Sequence, residues 1–564
     1  MIKGYDAIKA RINDIIGKGY EATPVDFKLA VSQYVGFING LLSNLHMSVE
    51  NEESENIDSL NVILRWYTHN MLVHLTSPHG LEQYSGAAWG TRDVCQGPAE
   101  YFLATNNFAR LKDIILHVFS QQYLDNGNWP QWFMIDRYYR IQQNESHGDI
   151  IVWPLRLVAL YIEKTKDFSI LDEMVCYTDR QSCDFMQEKY TLKHHLDNEV
   201  KNILLNYIPN TSLSSYGGGD WDDTLQPKNH AQTKTMVSGW TVALLLDGLK
   251  TLLNELKGSK YDLEYLTKIY DEVYKDFNKE VVKDGIISGF IYLHDDKKDY
   301  MLHPADTMTG IKYRLLPLTR SMIGELFDKD TVNNYLGIID KHLMHADGVR
   351  LMDKGVNYRG GINTYFMRAE TAANFGREIG LQYCHAHIRY CEALAKVGHA
   401  DELYKALLQI NPVRLHENVK NALPRQRNAY YSSSDGDFLN RYDANANFHK
   451  LKDGSVGVKG GWRVYSSGPG IYLNQIISHF LGIRVSGDKL IIDPVISKQL
   501  IGLVASMDVL GHEVTINYVE NQDEKILVDG LEVEYETVSN KYRSTGLKID
   551  LNSLGRTANI TFKI

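Results

Sequence analysis

No stretch of the sequence approaches the roughly 18 consecutive apolar residues of a membrane span. The N-terminus, Met1-Ile2-Lys3-Gly4-Tyr5-Asp6, has no basic segment leading into an apolar one. Neither a membrane partner nor a signal peptide is therefore expected. Dense lysine and arginine blocks are missing as well, and the formal net charge is −10. That balance argues against a nucleic-acid or anionic-membrane partner. Cysteine is scarce: Cys95, Cys176, Cys183, Cys384 and Cys391 are odd in number and lack zinc spacing. Reduced thiols in the cytoplasm are the simplest expectation. Internal repeats and low-complexity segments are also lacking.

What is present is a chain of 564 residues, 44% of them hydrophobic, which can bury a large core without disulfides. It is rich in rings, with 35 Tyr and 8 Trp; carbohydrate sites use such rings, and so do cores. Residues 1–75 read as amphipathic helical lead-in. From 76 to about 484 one texture recurs, a Gly-, Trp- and Asp-rich loop followed by a helix with apolar residues at helical spacing. Helices are predicted at 99–119, 154–163, 235–256, 265–280, 332–344, 381–397, 400–409 and 470–482. Pro98 and Pro154 fall where a helix accepts proline, in its first turn. Helical hairpins stacked in a toroid, with their loops at one end, are the expected architecture; an irregular bundle is the competing one. Residues 485–564 turn to short β-rich runs, with Asp529-Gly530 as a hairpin turn, and predict a small antiparallel β domain.

The stretch with the most chemistry is Tyr216-Gly217-Gly218-Gly219-Asp220-Trp221-Asp222-Asp223-Thr224-Leu225-Gln226-Pro227. Three glycines and a proline mark a loop. Crowding Asp220, Asp222 and Asp223 raises the pKa of at least one of them by repulsion, and a carboxylic acid kept protonated is what glycosidic cleavage needs as its general acid. Trp221 offers a flat face for a sugar ring. A calcium-binding or surface turn is the competing reading, but the alternating ligands and closing Glu of an EF-hand loop are absent.

Four further clusters stand beside it. Arg92 and Asp93, in Gly90-Thr91-Arg92-Asp93-Val94-Cys95-Gln96-Gly97-Pro98, give a donor fork and an acceptor suited to sugar hydroxyls or to a structural ion pair. Asn128-Trp129-Pro130-Gln131-Trp132 and His147-Gly148-Asp149 with Trp153 fit a cleft wall or a core. In Arg377-Glu378 with His385 and His387, Arg377 and His385 suit an anion and Glu378 a hydroxyl. Cys384, His387 and Cys391 share a helical face but lack a fourth ligand, so no metal is expected. Ser466-Ser467-Gly468, opening the last helix, is an anion seat or simply a tight turn.

In this order the motifs resemble the glycoside hydrolase family 94 phosphorylases, a family of cellobiose, chitobiose and β-1,2-oligoglucan phosphorylases. The carriers are Gly90-Thr91-Arg92-Asp93, Asp220-Trp221-Asp222-Asp223, Arg377-Glu378 ahead of His385, and Ser466-Ser467-Gly468. The likeness covers about 60–564. It implies an (α/α)6 barrel followed by a C-terminal β-sheet domain, with no cofactor and with inorganic phosphate as co-substrate. It implies Asp223 as general acid, Trp221 lining the cleft, Arg92 and Asp93 at the sugar next to the bond, and Arg377 and Glu378 at the neighbouring sugar; Asp149 and Asp220 are expected to bind substrate as well. His385, Ser466, Ser467 and Gly468 would hold phosphate. The expected reaction is inverting phosphorolysis of a β-glucooligosaccharide, β-1,2-linked by preference and cellobiose-type next, giving α-glucose 1-phosphate. The sequence departs from the family at Asp222, often Asn there, and at Gly97, commonly Asp. Family members carry an N-terminal β-sandwich ahead of the linker helices. The expectation is therefore a truncated or split enzyme, as a homodimer or associated with a missing N-terminal half. Two rival readings are an inverting hydrolase with Asp149 or Glu378 as base, and an inactive carbohydrate-binding fragment.

Overall fold

The computed structural model describes residues 24–80, 89–257, 259–261, 264–294, 297–376, 378–379, 382–461, 463, 467–520 and 526–564. Helix dominates up to residue 480 and strand after it. Among the described residues six helices lead away from the site: α1 (Gly97–Ala104), α2 (Trp153–Thr165), α3 (Gly239–Leu256), α4 (Leu315–Ile323), α5 (Cys384–Val397) and α6 (Gly468–Asn474). Each packs on the next in chain order, and α6 packs back on α1. α1 and α4 are buried along their whole length, their few charged residues, Glu100 and Arg320, included. Helix Phe108–Ser120 lies outside them and buries only one stripe, Leu111, Ile114, Ile115, Val118 and Phe119. Helix Ser54–Leu75 packs on α6 and α1 from the outside.

Local sequence explains the helix ends. Pro98, Pro154 and Pro469 sit in the first turns of α1, α2 and α6, where no N–H partner is lost. Ser238 caps α3 by accepting from the Thr241 N–H. The single helix predicted over 99–119 is two helices. Asn106 takes a left-handed conformation, φ +57°, and Asn107 caps the next helix through its side chain. The helix predicted from 235 begins at Gly239, after strand Met236–Ser238. Leu192–Leu205 and α4 were not expected from periodicity.

The six helices carry a buried belt of charge. Glu100 on α1 accepts from Arg389 on α5 at 2.6 and 3.1 Å and from Asn474 on α6 at 3.0 Å. Arg389 also holds Glu392 at 2.7 Å. Asp247 on α3 accepts from Arg156 on α2 at 3.0 Å and from Arg320 on α4 at 3.1 Å, and Arg156 lies 3.8 Å from Glu100. Three carboxylates face three guanidinium groups, so the belt is neutral as a whole. Each charge taken out of water is costly, and only its partners offset that cost.

The C-terminal part holds two sheets. In one, His46–Ser48, Val504–Val509, His512–Val519, Thr557–Lys563, Leu527–Val528 and Leu531–Glu532 pair in that order. In the other the order is Ile483–Ser486, Lys489–Ile492, Gly546–Asp550 and Glu536–Val538. The expected all-antiparallel pattern fails at one place: His512–Val519 and Thr557–Lys563 run parallel. The N-terminal region also contributes a strand, His46–Ser48, to this sheet. The Asp529-Gly530 turn is as expected, with φ +50° and +81° between paired strands. A polar cavity of about 390 Å³ lies where the C-terminal ends of the ring helices meet this part, lined by pairs such as Arg484 with Asp493. Among the described residues no helix is long and apolar enough to cross a membrane.

Candidate active site

The segments leading into α1–α6 each place a residue at one end of the helices: Gln96, Asp149, Ser238, Arg314, Tyr383 and Ser467. The loop at 216–227 contacts Ser238, Arg314 and Tyr383 among them. Asp220 is fully buried and accepts two 2.9 Å bonds from Arg314 and one of 2.7 Å from Ser238 Oγ. Its Oδ1 also receives the Asp222 N–H at 3.0 Å. Tyr216 closes the loop by donating to the Leu225 carbonyl at 3.0 Å. Gly219, at φ +147°, lies against the His147 ring, where a side chain would be strained.

Asp222 follows, fully buried. Its Oδ1 accepts from Thr224 N at 3.2 Å and Oγ1 at 2.6 Å, and its Oδ2 has no hydrogen-bond partner. Burial pushes its pKa up to about 7; Arg314 and Thr224 pull against that, and Asp220 and Glu378 add repulsion. Asp222 is therefore a raised carboxyl, with burial as the leading cause and the repulsion expected from crowding a lesser one.

Asp223 is the open member, with its side chain 29% exposed. Arg92 Nη1 lies 3.5 Å and His147 Nδ1 3.4 Å from its Oδ1. Arg92 is anchored behind it: Nε and Nη2 each donate to Asp149 at 2.8 Å, and Nη2 reaches the Asp220 carbonyl at 3.1 Å. Burial works against the Arg92 charge, yet Asp149 and Asp223 hold its pKa well above the usual value. Trp153 Nε1 donates to Asp149 Oδ2 at 3.0 Å, so both oxygens of this fully buried carboxylate are engaged.

On the neighbouring side, His385 is buried in the first turn of α5. Its Nε2 lies 2.9 Å from Gln96 Oε1 and its Nδ1 3.3 Å from Ser467 Oγ. Burial, then Arg389, Arg92 and Arg320, drive its pKa well below the usual histidine value, so the ring is neutral. Gly468 starts α6 beneath the Tyr430 ring, where a Cβ would come within 1.9 Å. At Gly470 a Cβ would likewise come within 2.0 Å of the Gly97 carbonyl oxygen, so the start of α6 lies close against the start of α1.

Several sequence expectations change. Trp221 is 4% exposed and edge-on to Tyr383 and His385, so it offers no open face to a sugar. Asp149 and Asp220 are fully buried and serve Arg92 and Arg314. Neutral His385 does not bring a positive charge to an anion. Asp93 stays half-buried, its carboxylate folded over Gly90, and Glu378 is buried. Arg377 and Ser466 lie outside the described residues. Among those residues no group of His, Cys, Asp and Glu is placed to hold a metal ion, and His387 binds the Ala406 carbonyl and the Val349 N–H instead. Gln96, His147, Arg314 and Arg389 were missed. Gln96 and His147 stood inside quoted motifs, whereas no local signal marked Arg314 or Arg389.

Residues 53–431 match the family model of the glycosyl hydrolase 94 superfamily catalytic domain. The chain belongs to the glycosyl hydrolase 94 superfamily. Residues 482–561 match a glycoside phosphorylase C-terminal domain, so the β-rich end of this family 94 chain has a family of its own. The chain is 48% identical over 550 residues to a 1,2-beta-oligoglucan phosphorylase of Listeria innocua, covering 97% of this chain and 49% of that protein. It is 22% identical over 496 residues to the cyclic beta-(1,2)-glucan synthase NdvB of Rhizobium meliloti, covering 83% and 16%. This family 94 chain thus spans about half, or less, of the curated relatives it matches. In fold it is similar to an alpha-L-rhamnosidase of Streptomyces avermitilis, with TM-score 0.50 and 10% identity over 90% of this chain and 41% of that one.

Proposed function

We propose that this chain carries out inverting phosphorolysis of β-linked glucooligosaccharides, β-1,2-linked by preference, giving α-glucose 1-phosphate, on six inner helices that form an (α/α)6 barrel. The β-1,2 preference rests on the similarity to the Listeria phosphorylase. Asp223 protonates the glycosidic oxygen. A phosphate oxygen attacks the anomeric carbon from the opposite face as that C–O bond breaks. In balance, hydrogenphosphate gives up its proton and the released sugar gains one, so Asp223 ends as it began. No metal or organic cofactor enters the reaction.

One observation carries this reading: Asp223 is the open carboxylate of its loop, and Asp149, one of the two carboxylates a hydrolase reading would use as base, is taken. Water must be activated by a second carboxylate in an inverting hydrolase. Asp149 gives both oxygens to Arg92 and Trp153. Phosphate is already a nucleophile and needs only to be held near the sugar. The test is a screen of β-1,2-, β-1,3- and β-1,4-glucooligosaccharides with and without phosphate, reading glucose 1-phosphate. Replacing Asp223 with Asn should abolish release. Equal product without phosphate would mean hydrolysis, and binding without turnover would mean a carbohydrate-binding fragment.

A further inference from the structure

Gln96 sits between the two halves of the site. Its Nε2 donates to the Arg92 carbonyl at 3.2 Å, and its Oε1 accepts from Arg389 Nη2 at 2.9 Å. A carbonyl can only accept and a guanidinium can only donate, so these two contacts fix which way the amide faces. The same Oε1 lies 2.9 Å from His385 Nε2. An acceptor oxygen there requires the ring proton on Nε2, which leaves Nδ1 with its lone pair. Ser467 Oγ, 3.3 Å from Nδ1, then donates its hydroxyl proton to the ring and keeps lone pairs for anything beyond it. Arg389 cannot swing away, because Glu100 and Glu392 hold it from α1 and from α5 itself.

We propose that Gln96, locked by Arg389, is a positioning residue that fixes His385 as the Nε2–H tautomer, so that this side of the site presents acceptors and selects an oxyanion carrying a proton. Hydrogenphosphate meets that demand. Sulfate, of similar size and without a proton at neutral pH, does not. Burial first, and then Arg389, Arg92 and Arg320 against Glu392, keep the imidazole from protonating, so the tautomer holds through neutral pH. The selectivity part rests on the phosphorolysis reading; the tautomer part does not.

The test uses the full chain labelled with ¹⁵N-histidine, with the His385 signal assigned by its loss in His385→Asn. At pH 7 the expected spectrum has protonated Nε2 and bare Nδ1. An Nδ1–H tautomer or an imidazolium overturns the proposal even in an active enzyme. Gln96→Leu should give a mixed tautomer, raise the phosphate KM about tenfold for one lost hydrogen bond, and let sulfate compete better. Gln96→Glu keeps the acceptor and should restore the Nε2–H form. A phosphate KM and a sulfate inhibition unchanged in Gln96→Leu overturn the selectivity. Should the leucine variant fail to fold, the wild-type spectrum and sulfate competition still decide.

Discussion

The indole of Trp221 packs edge-on against the imidazole of His385, with ring centroids 4.8 Å apart and planes at 77°. Trp221 stands two residues before Asp223 on the loop, and His385 opens α5. The contact therefore couples the carboxylate side of the site to the side proposed to face the oxyanion, through packing alone. It accounts for a tryptophan in this loop without any stacked sugar.

The consequence is measurable. Trp221→Ala should cost about 3–5 kcal/mol of stability, as loss of a buried aromatic does, read by chemical denaturation. Trp221→Phe should keep most of the stability and raise the KM for phosphate more than that for glucan, because the ring it supports is His385. A variant with unchanged stability and a selectively weakened glucan KM would restore the sugar-platform role.

Asp222 gives the site a pH dependence. Its folded pKa of about 7 stands above the ordinary 3.8. Between those values the folded state keeps a proton that the unfolded state has lost. Its contribution is thus full below pH 4 and is lost as pH rises through 7. Asp222→Asn removes this dependence, so the variant should gain on the wild type from pH 4 to 8, by up to about 4 kcal/mol. Parallel urea midpoints at pH 5 and pH 8 would show that Asp222 ionises normally.

How much of this was legible in the sequence depends on the range of the interaction. The glycine and aspartate spacing of the loop, the prolines at helix starts and the Asp529-Gly530 turn are local signals, and each was read directly. The partners of that loop were not. Arg314 lies 94 residues from Asp220, and Arg389 lies 293 from Gln96. Only the order of the ring brings them together. Trp221 was misread for the same reason: an aromatic flanked by carboxylates looks exposed until Tyr383 and His385 arrive to cover it. The break at Asn106 was hidden because the apolar period runs through it, while the left-handed turn is set by two asparagines that periodicity does not weigh.

The charge belt should be fragile to the loss of one member. Asp247→Asn removes the carboxylate that Arg156 and Arg320 share, while Arg156 keeps Glu100 at 3.8 Å, and burial, then Arg156, already pushes Arg320 down to about 10. A cost of about 3–5 kcal/mol is expected, the scale for breaking a buried pair. Asp247→Asn with Arg320→Met should recover part of it. Equal destabilisation in single and double variants would mean that the pair carries no coupling.

Arg92→Lys tests how the open carboxylate is held. Lysine keeps a positive charge within reach of Asp223, but it cannot make the two 2.8 Å bonds that Arg92 gives to Asp149. The fork does two jobs: it neutralises Asp149 in the interior, and it leaves Nη1 aimed at Asp223 Oδ1. Without it, Asp149 loses its main counter-charge, and the contact to Asp223 is no longer fixed in direction. Misplacement of about 1 Å at a catalytic group costs on the order of a hundredfold in rate. Arg92→Lys should therefore lower kcat by that order with phosphate present and leave the glucan KM within a few-fold. If the freed Asp149 could activate water, the variant would also release glucose without phosphate. The expected result is no such release, because Asp149 remains behind Arg92's position, fully buried and still bonded by Trp153 Nε1. Phosphate-independent glucose from Arg92→Lys would mean that a hydrolase lies one substitution away, with Arg92 as the residue that suppresses it.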